Sequence, residues 1–332
     1  MTGASLSGRL ARVPDGLLRF DAGRDLGAVV DLLEVGFHED LDERDRRWLR
    51  DLSMLSSAGP LFGLLMSTVP KARAAFTGFV WYAEGRLVGN VSLIRRQDEV
   101  WTIANVVTHP AARRRGIGQR LMAAALDAAA SRGAADVHLF VRQDNEEALA
   151  LYDKLGFESR GVSTTLRRSA LGGLPAWTAP ASSGFAIVPW RRPDDPRARQ
   201  LLRRAGESSA MGSPLRAASQ RSALRQRFDD WMRIRRRVAL AASSGATYRA
   251  LALAVVETQP IAMHQLAFAI DPLSRGRVER PLVGALLARL DELPDAPAEA
   301  SVSSQDGPLD DALRAAGFEA TRALAHLAVD VG

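Results

Sequence analysis

Residues 106–121 read Val-Val-Thr-His-Pro-Ala-Ala-Arg-Arg-Arg-Gly-Ile-Gly-Gln-Arg-Leu, and few folds accommodate that order. The apolar run Ile103 to Val107 has the character of a buried strand. His109-Pro110 stops it, because proline cannot continue a ladder. Three arginines, Arg113, Arg114 and Arg115, then lead into Gly116-Ile117-Gly118. From Gly116 onward Ile117, Leu121, Ala124, Ala125 and Ala128 recur at helical spacing. The segment is therefore a strand, a basic glycine turn and a helix.

Such a turn has definite chemistry. A helix N-terminus leaves backbone N–H groups unpaired and carries a partial positive charge. Glycine lets a ligand approach the backbone with no Cβ in the way. Arginine adds charge-assisted hydrogen bonds to phosphate oxygens. Together they describe a seat for a pyrophosphate. Alone, the same residues also describe a tight turn with solvated arginines.

Downstream lie a strand-like run, Val137 to Val141, and the segment Asn145-Glu-Glu-Ala-Leu-Ala-Leu-Tyr152-Asp-Lys-Leu-Gly156-Phe157. Ala148, Leu149, Tyr152 and Leu155 form one helical stripe, and Gly156 suits the residue after a helix end. Arg113-x-x-Gly116-x-Gly118 on a strand-to-helix turn resembles the acetyl-CoA pyrophosphate loop of the GCN5-related N-acetyltransferase (GNAT) family. The block from Asn145 through Tyr152 to Gly156-Phe157 is similar to that family's second signature. The resemblance covers roughly residues 15–168.

It implies acyl transfer from acetyl-CoA to an amine by direct attack in a ternary complex. Arg113, Arg114, Arg115, Gly116, Ile117, Gly118 and Gln119 would hold the pyrophosphate. The backbone of Val106, Val107 and Thr108 would pair with pantetheine as an added strand, and one N–H there would polarise the thioester carbonyl. Asn145 would contact the cofactor or cap its helix. Tyr152 would contact the cofactor and donate a proton to the leaving sulfur; the alternative is a core tyrosine. No general base stands out. Thr102 and Asn105 are not bases, and Asp98 and Glu99 read as hairpin residues, so deprotonation of the amine through water is expected.

The rest of the chain repeats this plan. Pro272 falls on Pro110, and Gly317-Phe318-Glu319 answers Gly156-Phe157-Glu158. In that alignment Arg275 falls on Arg113, but Val278 falls on Gly116, Arg280 on Gly118 and Asp306 on Asn145; Pro281 lacks an N–H. The second half keeps the scaffold and loses the cofactor residues. We expect an active GNAT domain at 1–168, a Gly-, Pro- and Ser-rich linker at 169–184 and a degenerate GNAT-like domain at 185–332. The fold class is α/β (α+β), each domain a mixed, mostly antiparallel sheet flanked by helices. The tandem plan also resembles mycothiol synthases, whose second half is the active one, unlike the arrangement here.

Composition narrows the alternatives. The chain has 332 residues, no cysteine and five scattered histidines, His38, His109, His138, His264 and His326. These exclude a disulfide framework, a cysteine nucleophile and a thiolate zinc site, and no metal is expected. No apolar run is long enough to span a bilayer. The start carries no apolar signal core, so a cytoplasmic protein without a membrane partner is expected. The net charge of +6 rests on arginine, with Lys71 and Lys154 the only lysines. Arg216 to Arg237 holds eight arginines with Phe228, Trp231 and Met232, read as a charged helix; no recognition motif accompanies it, so nucleic acid is not the expected partner. The expected acceptor is a small-molecule, peptide or protein amine. The expected state is a monomer acting as a pseudo-dimer, or a homodimer. A non-catalytic acyl-CoA-binding or regulatory protein is the competing reading.

Overall fold

A computed structural model describes residues 13–38, 41, 46–47, 49–50, 53–54, 77–95, 100–169, 184–190, 195–205, 235–257, 263–293 and 296–332. The chain divides into two compact units. The first comprises Met1–Phe140, Glu146–Glu158 and Leu327–Gly332; the second comprises Val141–Asn145 and Ser159–His326. These units are not the sequential halves 1–168 and 185–332. The strand that closes the first half in sequence lies almost wholly in the second unit, and the last six residues of the chain lie in the first.

In the first unit, β1 (Gly16–Arg19), β2 (Thr77–Ala83), β3 (Arg86–Arg95) and β4 (Val100–Thr108) form an antiparallel sheet. β5 (Asp136–Arg142) joins β4 in parallel, from Val100↔Asp136 to Ile103↔Leu139. The β2–β3 hairpin turns at Glu84-Gly85, both left-handed (φ 53° and 73°), which suits the right-handed twist of the strands. Helix α1 (Ala22–Gly36) packs Leu26, Val29, Val30 and Leu33 with Val80, Tyr82 and Val107. Asp21 caps it by accepting from the Arg24 N–H at 2.9 Å. The buried carboxylate of Asp25 is balanced by Arg24 and by the Tyr82 hydroxyl, which donates at 2.9 Å. That partner and burial push the Tyr82 phenol up to about 12, burial being the larger cause.

Helix α2 (Ile117–Ala130) covers the other face of β2, where Arg120 lies over the Trp81 ring. Its buried stripe is Ile117, Leu121, Met122, Ala125 and Ala129. Ala124 and Ala128, expected in that stripe, are only half-buried, because the stripe winds one residue further round the helix. Helix α3 (Glu146–Lys154) buries only Tyr152 fully.

In the second unit, β6 (Glu158–Arg168) pairs antiparallel with β11 (Ala298–Ser303), and β11 runs parallel to β10 (Met263–Ile270). β9 (Thr247–Glu257), β8 (Arg235–Ser244) and β7 (Ala186–Pro189) complete an antiparallel series. Helix α4 (Pro196–Arg204) covers one face through Ala198, Leu201 and Leu202 against Ala241, Leu251 and Leu253. Helices α5 (Glu279–Leu290) and α6 (Gly307–Ala315) cover the alternate residues, including Leu240, Ala252 and Phe268. The final strand β12 (Glu319–Asp330) contributes residues to both units. Each unit is thus mixed, mostly antiparallel and flanked by helices, as expected.

One further sequence reading changes. The arginine-rich helix read at 216–237 lies outside the described residues up to 234, and 235–237 are strand: Arg235, Arg236 and Arg237 pair with Glu257, Val256 and Val255. Ladder pairing with β9 overrides helical continuation there. The linker core 170–183 and the apolar run 61–66 lie outside the described residues.

Candidate active site

The turn between β4 and α2 forms as its residues dictate. His109 caps a short 3-10 turn at Pro110–Ala112, its Nδ1 accepting from the Ala111 N–H at 3.2 Å. Arg113 is extended, Arg114 is left-handed (φ 59°) and Gly116 is left-handed (φ 73°). Gly116 is the N-cap of α2 and brings no side chain to cap it. The first intrahelical bond runs from the Arg120 N–H to the Gly116 carbonyl at 3.1 Å. The N–H groups of Ile117, Gly118 and Gln119 precede that bond and have no intrahelical acceptor. Buried Ile117 and Leu121 seat the helix behind them.

Arg113, Arg114 and Arg115 are all exposed. Arg113 donates from Nε to the Thr108 carbonyl at 3.5 Å, and the other two have no partner among the described residues. A Cβ built on Gly118 would lie 3.5 Å from Leu151 Cδ2 and 3.7 Å from Thr108 Oγ1, ordinary contacts. The protein itself therefore tolerates a methyl at 118. These are the features an anionic cofactor needs: a side-chain-free N-terminus, close backbone access and three arginines.

Leu151, which borders that gap, brings α3 beside the turn. The next residue, Tyr152, is 6 % exposed, and its ring meets Phe157 edge-on at 5.8 Å. Gly156 is left-handed (φ 80°), and the chain folds back so that the Phe157 N–H reaches the Tyr152 carbonyl at 3.0 Å. Burial pushes the Tyr152 phenol up to about 12. It is a proton-bearing donor throughout the neutral range, and its hydroxyl has no hydrogen-bond partner among the described residues.

The first unit contains Val106, Val107, Thr108, the segment 113–119 and Tyr152, and there β4, the turn and α3 approach one another at Thr108, Gly118 and Leu151. Asn145 is exposed, directly precedes α3, and belongs to the short segment grouped with the second unit. Asp98 and Glu99 lie outside the described residues. Thr102 is buried. Asn105 is exposed and left-handed (φ 52°) within β4, where the pairing to β3 slips by one residue between Asn90 and Ser92. Sequence reading missed this bulge and the residue behind it: buried Asn90 donates its amide to the Asn105 carbonyl at 2.8 Å. The available signal was a lone amide inside the apolar strand Leu87 to Ile94.

The matching turn of the second unit is closed by its own side chains. Asp271 caps the 3-10 turn Pro272–Ser274 as His109 does. Gly276 is left-handed like Arg114, but Val278 (φ −100°) does not follow Gly116. The Glu279 carboxylate, 2 % exposed, accepts from the Gly276 N–H at 2.9 Å and the Val278 N–H at 3.1 Å. Arg275 is held at 2.7 Å by buried Asp306, as an ion pair rather than a well-aligned hydrogen bond. The two N–H groups and the arginine that would meet phosphate each face a carboxylate of the chain itself.

Among the described residues no cluster of three or more histidine, aspartate or glutamate side chains is arranged to hold a metal, and no helix is long and apolar enough to cross a membrane.

Residues 43–157 match the Acetyltransferase (GNAT) family. The chain is 40 % identical over 106 residues to the N-alpha-acetyltransferase RimI of Mycobacterium tuberculosis, a match covering 30 % of this chain and 62 % of that protein. It is 31 % identical over 159 residues to a mycothiol acetyltransferase of Mycolicibacterium vanbaalenii, covering 47 % and 49 %. The chain thus spans under two thirds of the length of these relatives. A tandem GNAT protein from the clavulanic acid biosynthesis pathway has the same fold over 96 % of this chain and 99 % of its own, with a TM-score of 0.58 at 20 % identity.

Proposed function

Residues 43–157 make this chain a member of the GNAT acetyltransferase family, and from that premise we propose that its first unit transfers an acetyl group from acetyl-CoA to a primary amine. The observation that carries the reading is the uncapped N-terminus of α2 behind three exposed arginines, set beside the α3 segment that bears Tyr152. Acetyl-CoA supplies the thioester acyl group. Arg113, Arg114 and Arg115, with the N–H groups of Gly116 to Gln119, bind and orient its pyrophosphate. The β4 backbone from Val106 to Thr108 holds the pantetheine arm, and an N–H of that edge donates to the thioester oxygen as charge builds there.

The amine nitrogen forms its bond to the acyl carbon as the carbon–sulfur bond breaks, and its proton leaves to water. Tyr152 donates to the departing sulfur. A thiol has a pKa of about 8.5, below the raised phenol, so transfer of the phenol's proton to sulfur is uphill: Tyr152 keeps its proton and hydrogen-bonds the developing thiolate, which takes up from water the proton the amine has lost. The second unit, whose turn is filled by Glu279, is proposed as a non-catalytic partner domain. We place the enzyme in the cytoplasm.

Thiol release from acetyl-CoA tests the reading, using a panel of small amines, N-terminal peptides and amino sugars. Acetyl-CoA binding with no turnover on any acceptor supports a binding protein instead. Absence of binding removes the assignment altogether.

A further inference from the structure

We infer that Asn90 is a positioning residue that sets the cofactor-facing edge of β4 by pinning the bulge at Asn105. The inference rests on the acetyltransferase reading of that edge, but its structural part stands on four observations. Asn90 is 2 % exposed, and its amide donates to the Asn105 carbonyl at 2.8 Å. Asn105 holds a positive φ of 52° inside a strand, a conformation asparagine tolerates better than most residues but does not prefer. The Asn105 amide donates in turn to Ser92 Oγ at 3.2 Å, so the bulge is held at both its backbone and its side chain. The extra residue lies between Ala104, opposite Ser92, and Val107, opposite Asn90.

The position of that extra residue sets which way the rest of β4 faces. A one-residue shift in a strand turns every later side chain and N–H to the other side. With the bulge, Val107 is buried beneath α1, while Val106 and Thr108 stay partly open. Without it, Val106 and Thr108 would turn inward, and the N–H groups proposed to meet pantetheine and the thioester oxygen would be inverted. The parallel ladder to β5 ends at Ile103, directly before the bulge.

The chain contains its own control. Aligning Pro272 with Pro110 places Ala269 on Val107, and Ala269 pairs with Leu251 where Val107 pairs with Asn90. β10 runs against β9 without a slip from Met263↔Glu257 to Ile270↔Ala250, and no residue of β10 has a positive φ. Where the turn is plugged by Glu279, the amide is a leucine and the bulge is absent. Where the turn is open, both are present. A bulge kept only for sheet stability would have no reason to accompany the cofactor turn.

Asn90→Leu copies Leu251 and tests this in the full chain. Hydrogen exchange, read on overlapping peptides without any cofactor, should accelerate about tenfold or more over 104–108, the loss of one buried hydrogen bond, while the flanking pairs at 101–103 are unchanged. Steady-state kinetics should show a rise in KM for acetyl-CoA that exceeds the fall in kcat. Adding Asn105→Gly, which adopts a positive φ unaided and so does not depend on either hold, should bring the KM of the double variant back toward that of the parent protein. Asn90→Ser, which cannot span the gap, serves in place of Asn90→Leu should that protein not fold. Unchanged exchange over 104–108, acceleration spread evenly over the sheet, or no rescue by Asn105→Gly would overturn the inference. Failure of the parent protein to bind acetyl-CoA removes the acetyltransferase reading instead, and the exchange experiment still decides whether Asn90 pins the bulge.

Discussion

Glu279 Oε1 accepts the Gly276 N–H at 2.9 Å, so a carboxylate of the chain itself occupies the turn that the first unit leaves open. Its second oxygen takes the Val278 N–H. A negative side chain at a helix N-terminus does the electrostatic work a bound phosphate would do. The second unit therefore needs no cofactor to satisfy its turn, and the cost of losing the plug can be measured. Glu279→Ala leaves two N–H groups without their acceptor in a buried place and should destabilise the protein by about 1–3 kcal/mol. Chemical denaturation compares the variant with its parent. A change below about 0.3 kcal/mol would mean that water or another group replaces the carboxylate without loss.

Gly118→Arg copies Arg280 of the second unit. The Cβ itself meets only ordinary contacts with Leu151 and Thr108, so the variant should fold. The long side chain then fills the space in front of the first turn of α2. We expect acetyl-CoA affinity to fall below detection by calorimetry while the melting temperature stays within a few degrees of the parent. Near-normal affinity would show that the pyrophosphate is not seated at this turn.

Most of the fold is legible because its elements are periodic and punctuated. His109-Pro110 and Asp271-Pro272 each end a strand: β4 stops at Thr108 and β10 at Ile270. The glycine positions of the first turn carry their own conformational signal, and Gly116 adopts the left-handed state only glycine takes cheaply. What remained hidden depends on partners distant in sequence. The bulge at Asn105 requires Asn90 on another strand. The grouping of β6 with the second unit comes from its pairing with β11, which no local pattern announces. The strand at Arg235 is decided by its neighbour β9, against a run of charge that reads as a helix face. Glu279 stood beside the altered glycines in the sequence, but its role as their plug depends on the fold of the turn.

Tyr152 joins the proposed catalysis to alkaline stability. Its phenol is raised by burial from the ordinary 10 to about 12. The folded state thus holds the proton more tightly than the unfolded chain. That contribution is complete below pH 10 and is lost as pH rises through 12, at most about 2–3 kcal/mol. Tyr152→Phe should therefore flatten the fall in stability between pH 10 and 12 relative to the parent, and lower kcat by about 10²- to 10³-fold, the loss of one donor to developing charge, with little change in acetyl-CoA affinity. An unchanged kcat together with the altered alkaline profile would leave Tyr152 as a core residue only.

The difference between the two turns predicts the number of cofactors per chain. Gly116 and Val278 hold the same place in the two units, but one is left-handed and uncapped while the other lies in ordinary helical space beneath a carboxylate. Arg275 could still attract phosphate by charge, yet it is already held at 2.7 Å by buried Asp306. Pro281 removes one further N–H from the first turn of α5. A phosphate would have to displace Glu279 and break the Arg275–Asp306 pair, leaving two buried carboxylates without partners, each a cost of several kcal/mol in a desolvated place. We therefore predict that one chain binds one acetyl-CoA, in the first unit. Titration of the full chain by calorimetry should saturate at one equivalent, and Gly118→Arg should remove that equivalent completely. Two equivalents, or a residual site in the variant, would show that the second turn opens despite its plug.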